Sequence, residues 1–96
     1  MGETGRHILY VDKEKLNFPL LLRKWENGDY FYPFGMQGRK KLAKFFKDGK
    51  VDRDNKEKQW LLCSGEDILW VVGRRADQRF GVDGSTRHIL KITVPL

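Results

Sequence analysis

The chain has 96 residues, 40% of them hydrophobic and 33% charged, a length and composition that predict a single domain over residues 1–96. Its one cysteine, Cys63, excludes an internal disulfide and indicates a reducing, cytoplasmic compartment, and its longest apolar run, residues 18–22, is far too short to cross a membrane. Of the net charge of +6, +5 arises between residues 37 and 58, where nine basic residues stand against four acidic ones. This concentration points to a polyanionic partner such as nucleic acid, the alternative being a solvated, lysine-rich face.

The N-terminal third predicts two strands. Residues 1–5 have no apolar pattern and are expected to be a tag or linker. β-formers predict a strand over 6–11 and another over 18–25, in which Pro19 favours an edge position or a strand start. Because Leu21 and Leu22 are adjacent, we expect both faces of the second strand to be covered.

A loop and a basic helix follow. Residues 28–38 carry glycine, proline and four aromatic side chains, which either stack on bases or close the core beneath the loop. Residues 39–47 have helical periodicity, with Leu42, Phe45 and Phe46 on one face and lysines on another. A second, surface helix is predicted over 52–58 with Asp52 as its N-cap.

The remainder of the chain predicts strands. Residues 60–63 and 68–72 flank a turn and predict a hairpin, and the second of these runs is apolar throughout, as in a central strand. Residues 88–94 alternate between apolar and polar side chains. The predicted fold class is therefore α+β, with antiparallel-rich, sandwich-like β sheets and one or two short helices inserted after the second strand.

The sequence offers no catalytic or metal-ligating pattern. His7 and His88 lie alone inside strand patterns, and Cys63 lies in an apolar strand, where a thiol is usually a small buried hydrophobe. The loop from Gly35 to Lys40 differs from a phosphate-binding P-loop in glycine spacing and lacks Ser or Thr after the lysine. Catalytic residues, metal ligands and a cofactor site are therefore not expected within this chain.

The basic side chains are the candidate functional residues, because lysine and arginine bind phosphates without reading sequence. The candidates are Arg39, Lys40, Lys41, Lys44, Lys47, Arg74, Arg75 and Arg79. For the three later arginines the alternative is a solvated turn.

A longer motif joins these pieces. It comprises Arg23, Gly28, Asp29, Phe31, Pro33, Gly35, Met36, Gly38, Lys40, Lys41, Leu42, Phe45 and Phe46, followed by Trp70, Val71, Gly73, Arg75 and residues 88–90. In order and spacing it resembles the signature of the C-terminal domain of bacterial tRNA(Ile)-lysidine synthetase, over residues 18–94. Asp52 and Gly81 depart from that pattern. The departure at Gly81 weakens the expectation of a phosphate contact at that position.

The resemblance implies a non-catalytic domain that helps to position tRNA(Ile), on its acceptor-stem side. The parent enzyme would use ATP and Mg to attach lysine to the wobble cytidine through an N-terminal catalytic domain, the other expected partner. Gly28, Asp29, Pro33, Gly35 and Gly38 would shape the loop. The alternative is a protein-interaction or homodimerisation module of the same enzyme without direct RNA contact.

Overall fold

A computed structural model of the chain describes residues 3–95, and within them the fold contains eight strands and two short α-helices. The five-residue strands are β1 (Ile8–Asp12), β2 (Leu20–Lys24), β5 (Trp60–Ser64), β6 (Asp67–Val71) and β8 (Ile89–Thr93). The two-residue strands are β3 (Tyr30–Phe31), β4 (Lys40–Lys41) and β7 (Arg75–Ala76). The helices are α1 (Leu42–Asp48) and α2 (Arg53–Lys58), and single 3₁₀ turns occupy Lys13–Lys15 and Gln78–Phe80.

A four-stranded antiparallel sheet in the order β2-β5-β6-β7 forms the middle layer. The β5–β6 hairpin turns at Gly65, whose φ of +58° suits glycine, and its register shifts between Leu62 and Cys63. β6 lies between β5 and β7 and is buried over four of its five residues. The predicted hairpin and the predicted central strand are both confirmed.

The two faces of this sheet carry separate hydrophobic clusters. On one face the antiparallel pair β1–β8 contributes Val11 and Val94, which pack with Leu62, Trp70 and neighbouring residues. On the other face α1 contributes Leu42 and Phe46, which pack with Phe31, Cys63 and neighbouring residues. The α+β, sandwich-like fold class predicted from the sequence is confirmed, with both helices between β2 and β5.

The first helix begins later than its periodicity predicts. Lys40 and Lys41 pair with Phe31 and Tyr30 as the short strand β4, and α1 starts only at Leu42. The Leu42 N–H donates to the Asp29 carbonyl (2.9 Å), which fixes this start. The prediction that Lys40 and Lys41 belong to the basic helix was therefore wrong, and only Lys44 and Lys47 of its predicted lysines lie in α1. The predicted second helix is confirmed, since the Asp52 side chain accepts from the Asn55 N–H (2.8 Å).

The second strand is an edge strand, as predicted, but its faces are not both covered. Leu21 and Leu22 are 56% and 42% exposed, and Phe18 just before the strand is 59% exposed. The expectation of burial was wrong because the described residues supply no layer over this part of β2.

Of residues 1–5, which the sequence predicts to be a tag or linker, Met1 and Gly2 lie outside the described residues. Glu3 contacts the β1–β8 sheet, since its carbonyl accepts from the Tyr10 hydroxyl (2.6 Å) and its carboxylate pairs with Lys91 (2.8 Å). Among residues 3–95, neither α-helix has the length and apolar character that crossing a membrane requires.

Candidate nucleic-acid interface

Two of the predicted basic groups meet in one cavity of about 270 Å³, which we call the basic cleft. Lys40 reaches it from β4, Arg74 from the turn after β6, and Arg75 from the start of β7. The remaining lining residues are Met36, Phe45, Asp48, Gly49 and Val51. Residues more than thirty positions apart in sequence thus form one electropositive site.

The two arginines of the cleft are held by neutral acceptors. The Arg74 Nε donates to the Gln59 side-chain oxygen (2.7 Å), and the Arg75 Nη1 donates to the Phe34 carbonyl (3.0 Å). Gln59 is buried, and its amide nitrogen donates to the carbonyls of Trp60 (2.8 Å) and Val72 (2.9 Å). Because neither acceptor is a carboxylate, both guanidinium groups are oriented while their positive charge stays uncompensated by these bonds.

Gln59 is a site residue that sequence reasoning missed. It follows the polar helix α2 and has no apolar neighbour on its N-terminal side, so it resembles a surface residue. Its place directly before an apolar strand is the one signal in the sequence for a buried, orienting amide.

Lys40 of the cleft shares a carboxylate with Lys44, which lies beside the cleft on α1. Asp48 lies 2.6 Å from the Lys40 Nζ and 3.1 Å from the Lys44 Nζ. Hydrogen bonds from Lys40 and then Lys44 hold the pKa of Asp48 below its usual value. Two lysines and one carboxylate leave a single net positive charge at this end of the cleft.

The other three candidates near α1 lie outside the cleft. Lys41 follows Lys40 in β4 and therefore points to the opposite face of the strand, while Arg39 places its guanidinium 4.7 Å from the centre of the Tyr30 ring. Lys47 is exposed in the last turn of α1. No carboxylate among residues 3–95 forms an ion pair with any of these three side chains.

Arg79 is engaged elsewhere. Its Nε and Nη2 donate to the two carboxylate oxygens of buried Asp77 (both 3.0 Å), and its guanidinium lies 4.2 Å from the centre of the Tyr32 ring. Burial alone would lower the pKa of Arg79, but the hydrogen bond to Asp77 and the negative charges of Asp77 and Asp67 outweigh it and raise the pKa. Arg79 lines a separate, small cavity of about 90 Å³ together with Arg23, Asp29 and Asp67.

Asp77 ties the aromatic loop to the central sheet. Its carboxylate also accepts from the Tyr32 N–H (2.9 Å), and Pro33 forms a bridge with Asp77. The Phe34 N–H donates to the Ala76 carbonyl (2.9 Å), so the loop runs alongside β7. Of the four loop aromatics, Phe31 is fully buried, whereas Tyr30 and Phe34 are exposed.

The glycines of the loop adopt left-handed backbone conformations. Gly28, Gly35 and Gly38 have φ values of +97°, +83° and +69°. No other atom lies within 4 Å of where a side chain would begin at any of them, so the backbone conformation, rather than space, favours glycine there.

Asp29 fixes the start of the loop. It accepts from both terminal nitrogens of Arg23 (2.9 and 3.0 Å) and from the Glu26 N–H (2.7 Å). Burial alone would raise the pKa of Asp29, but these hydrogen bonds and the Arg23 charge bring it below its usual value. Reciprocally, the bond to Asp29 raises the pKa of Arg23 despite the opposing effect of burial.

The remaining reactive side chains do not assemble into a site. Burial raises the pKa of the Cys63 thiol. His88 is exposed and contacts Glu14 through Nδ1 (2.8 Å). Within the part of the chain that the structure describes, no three His, Cys, Asp or Glu side chains are grouped so as to hold a metal ion. The chemistry that this surface favours is electrostatic binding of an anion.

The chain is similar to known proteins along nearly its whole length. The family model described as TilS substrate C-terminal domain matches residues 20–92. The tRNA(Ile)-lysidine synthase of Parabacteroides distasonis is 56% identical over 88 residues, which is 92% of this chain and 20% of that protein. The tRNA(Ile)-lysidine synthase of Bacteroides thetaiotaomicron is 46% identical over 79 residues, or 82% of this chain and 18% of that protein. The chain thus spans about a fifth of the length of these curated relatives.

A solved structure shares the fold. The crystal structure of a TilS C-terminal domain superposes with a TM-score of 0.75 at 22% sequence identity, covering 100% of this chain and 77% of that chain. At this level of identity the likeness concerns the arrangement of strands and helices.

Proposed function

The chain belongs to the TilS substrate C-terminal domain family, as its sequence motif predicts, and from this premise we propose that it is a non-catalytic, tRNA-binding C-terminal domain of a tRNA(Ile)-lysidine synthase. In this role it helps to position tRNA(Ile), on the acceptor-stem side, while another domain attaches lysine to the wobble cytidine. The curated relatives that carry this name are about five times longer, which leaves room for that domain.

The observation that carries the proposal is the basic cleft. Arg74 and Arg75 present guanidinium groups oriented by neutral acceptors, and Lys40 adds a cation from the opposite wall. An A-form RNA stem offers two ridges of phosphate and a shallow minor groove, so a cleft lined by cations recognises it by shape and charge.

We assign the other candidates by their surroundings. Lys44 lies at the rim of the cleft, and Arg39, Lys41 and Lys47 extend the positive field around α1. Arg79 is proposed to act indirectly, because its guanidinium is committed to Asp77 and holds the aromatic loop. ATP and Mg are assigned to the remainder of the enzyme, and the compartment to the cytoplasm.

Charge reversal in the cleft tests the proposal. Arg74→Glu/Arg75→Glu should weaken binding of an acceptor-stem hairpin more than tenfold at low salt. Each lost phosphate contact should also lower the slope of log affinity against log salt by about 0.7–0.9. Fluorescence anisotropy over a salt series measures both, and circular dichroism checks that the variant is folded.

The matched control is Arg53→Glu/Lys58→Glu, which reverses the same number of charges on exposed α2. If both double variants weakened binding equally, the attraction would depend on net charge alone and the cleft would have no special role. If the unaltered chain bound no hairpin at low salt, direct RNA binding would be wrong.

A second candidate function has an observation of its own. Leu21 and Leu22 of edge strand β2, and Phe18 just before it, are exposed at the opposite edge of the central sheet from β7, and we call these three residues the apolar patch. Exposed apolar patches on small domains mark interaction sites, and an open strand edge is a template for pairing. We propose that this patch docks on the remainder of the same enzyme, a role compatible with RNA binding at the cleft.

A further inference from the structure

A second and larger cavity, of about 410 Å³, lies between β1 and the β6–β7 turn. We call it the β1–β7 cavity. Its walls are largely apolar and include Leu9, Val11, Trp70 and Val82, with Phe34 at one side. The volume is within the range of roughly 300–1,000 Å³ that is typical of small-molecule sites.

Cations surround this apolar space. Arg6 lines it from the N-terminal segment, and Arg74 and Arg75 line it as well as the basic cleft. Among the described residues of its wall, Asp77 is the one carboxylate, and both of its oxygens already accept hydrogen bonds from Tyr32 and Arg79. An occupant that combines a flat apolar body with a negative group therefore matches the cavity.

We propose that the β1–β7 cavity receives the base of one unpaired nucleotide of the bound RNA, with its phosphate held by Arg74 and Arg75. The proposal rests on the function proposed above. A base inside a duplex is stacked and paired, so only a nucleotide from a single-stranded end, loop or bulge enters such a site. Since the same two arginines line both cavities, a strand that lies along the cleft would deliver its next nucleotide to the second cavity.

Phe34 is the side chain best placed to stack on the entering base. The residue is 63% exposed at the wall of the cavity, while its backbone N–H and carbonyl are fixed by Ala76 and Arg75. Base–aromatic stacking tolerates any sequence because every base has a π-face. The backbone contacts are independent of the ring, so shortening the side chain leaves the loop anchored.

An apolar side chain from another part of the enzyme is the competing occupant. It would cover the apolar walls but would place no anion beside Arg6, Arg74 and Arg75. The three cations around the cavity therefore favour a nucleotide.

Three RNAs test this inference: a blunt acceptor-stem hairpin, the same hairpin with a short single-stranded 3′ tail, and the tailed hairpin with abasic tail nucleotides. We expect the tail to tighten binding on the order of tenfold, a stacking contribution typical of one base. The abasic tail should lose this gain, because it keeps the phosphates but not the bases.

Protein variants complete the test. Phe34→Ala should abolish the gain from the tail while binding the blunt hairpin normally, and Val82→Phe, which narrows the cavity from another wall, should do the same. Phe18→Ala is the matched control, since that ring is similarly exposed (59%) but lies outside the cavity, and it should keep the gain.

The outcomes separate the two proposals. Equal binding of blunt and tailed hairpins, or a gain that the abasic tail retains, would overturn the base site and leave RNA binding by the cleft intact. Failure to bind any of the RNAs at low salt would overturn both. If the tail gave no gain and Phe34→Ala instead weakened association with the remainder of the enzyme, the cavity would be a protein-docking site.

Discussion

Two carboxylates hold the aromatic loop, Asp29 at its start and Asp77 at its middle, beside Tyr32 and Pro33. Each accepts hydrogen bonds from a backbone N–H and from an arginine, so each joins main chain and side chain in one cluster. Asp77 bonds to Tyr32 across a separation of 45 residues, which brings the loop to the edge where Arg74 and Arg75 lie. Charge-assisted bonds of this kind are about twice as strong as neutral ones.

The Arg23–Asp29 pair makes stability depend on pH. Because the folded-state pKa of Asp29 lies below its unfolded value, its contribution is complete above the ordinary aspartate pKa of about 4 and is lost as pH falls through the folded value. We predict that Asp29→Asn lowers the free energy of unfolding by about 1–2 kcal/mol near neutral pH. The difference from the unaltered chain should shrink below about pH 4.

Urea denaturation at a series of pH values measures this difference. Glu57→Gln is the control, since it removes the partner of Arg53 in an exposed ion pair (3.4 Å) of a kind that contributes little. A difference for Asp29→Asn that stayed constant down to pH 2 would show that the effect arises from lost packing and not from the ionised carboxylate.

At the scale of elements, the junction of β4 and α1 decides which lysines lie at the basic cleft. The strand puts Lys40 into the basic cleft and Lys41 on the other side, and the helix brings Asp48 back beside Lys40 and Lys44. Asp48 is thus a carboxylate inside the proposed RNA-binding surface, where its charge opposes phosphate.

We predict that Asp48→Asn tightens binding of the acceptor-stem hairpin roughly two- to fivefold at low salt, because a negative charge that repels phosphate is removed. The gain should fade as salt rises, because exposed charges are screened. Anisotropy titrations measure it, and Asp54→Asn, which removes the same charge on α2, should change affinity less. Equal gains for both variants would mean that the RNA responds to net charge and not to the cleft.

The sequence predicts those elements whose pattern of apolar and polar residues, or whose cap, is visible within a short stretch of chain. β6 is apolar at almost every position, β8 alternates, and Asp52 begins a polar helix, so these elements are recognisable from the chain alone. A two-residue strand has no period, and Leu42, Phe45 and Phe46 extend a helical pattern that sequence alone does not limit. In the structure the start of this helix is set by a hydrogen bond from the Leu42 N–H to the carbonyl of Asp29, thirteen positions earlier in the chain.

The candidate site was predictable in composition but not in arrangement. Lysine and arginine clusters are visible in the sequence, whereas the meeting of Lys40 with Arg74 and Arg75 depends on how the β5–β6 hairpin packs on α1. The pair of Arg79 with Asp77 is local in sequence, but the burial of Asp77 depends on tertiary packing, so Asp-x-Arg does not by itself indicate a buried pair.

At the scale of the whole molecule, the central sheet separates two surfaces. At one edge, β7 and the turn before it carry the arginines of the basic cleft. At the other edge, β2 and the residues just before it carry the apolar patch of Phe18, Leu21 and Leu22. Leu21 and Leu22 point to opposite faces of β2, so the patch wraps around the strand edge. In the proposed function, one edge binds RNA and the other binds protein, and the domain would thereby hold a tRNA against the body of the enzyme.

We predict that Leu21→Lys/Leu22→Lys abolishes association of the chain with a separately produced remainder of the enzyme. The free energy of unfolding should change by no more than about 0.5 kcal/mol, because both side chains are already exposed. Affinity for the acceptor-stem hairpin should be preserved or slightly raised, since the added charges are positive and lie at the far edge of the sheet. Calorimetric titration against the remainder of the enzyme measures the association, and light scattering of the chain alone reports any self-association through the same edge.

Ile89→Lys is the control, because Ile89 is also exposed (48%) but lies on β8, in a different sheet. Association that survived the double lysine variant would exclude the patch as the docking surface, and a dimer that it dissolved would assign the edge to a second copy of the chain instead.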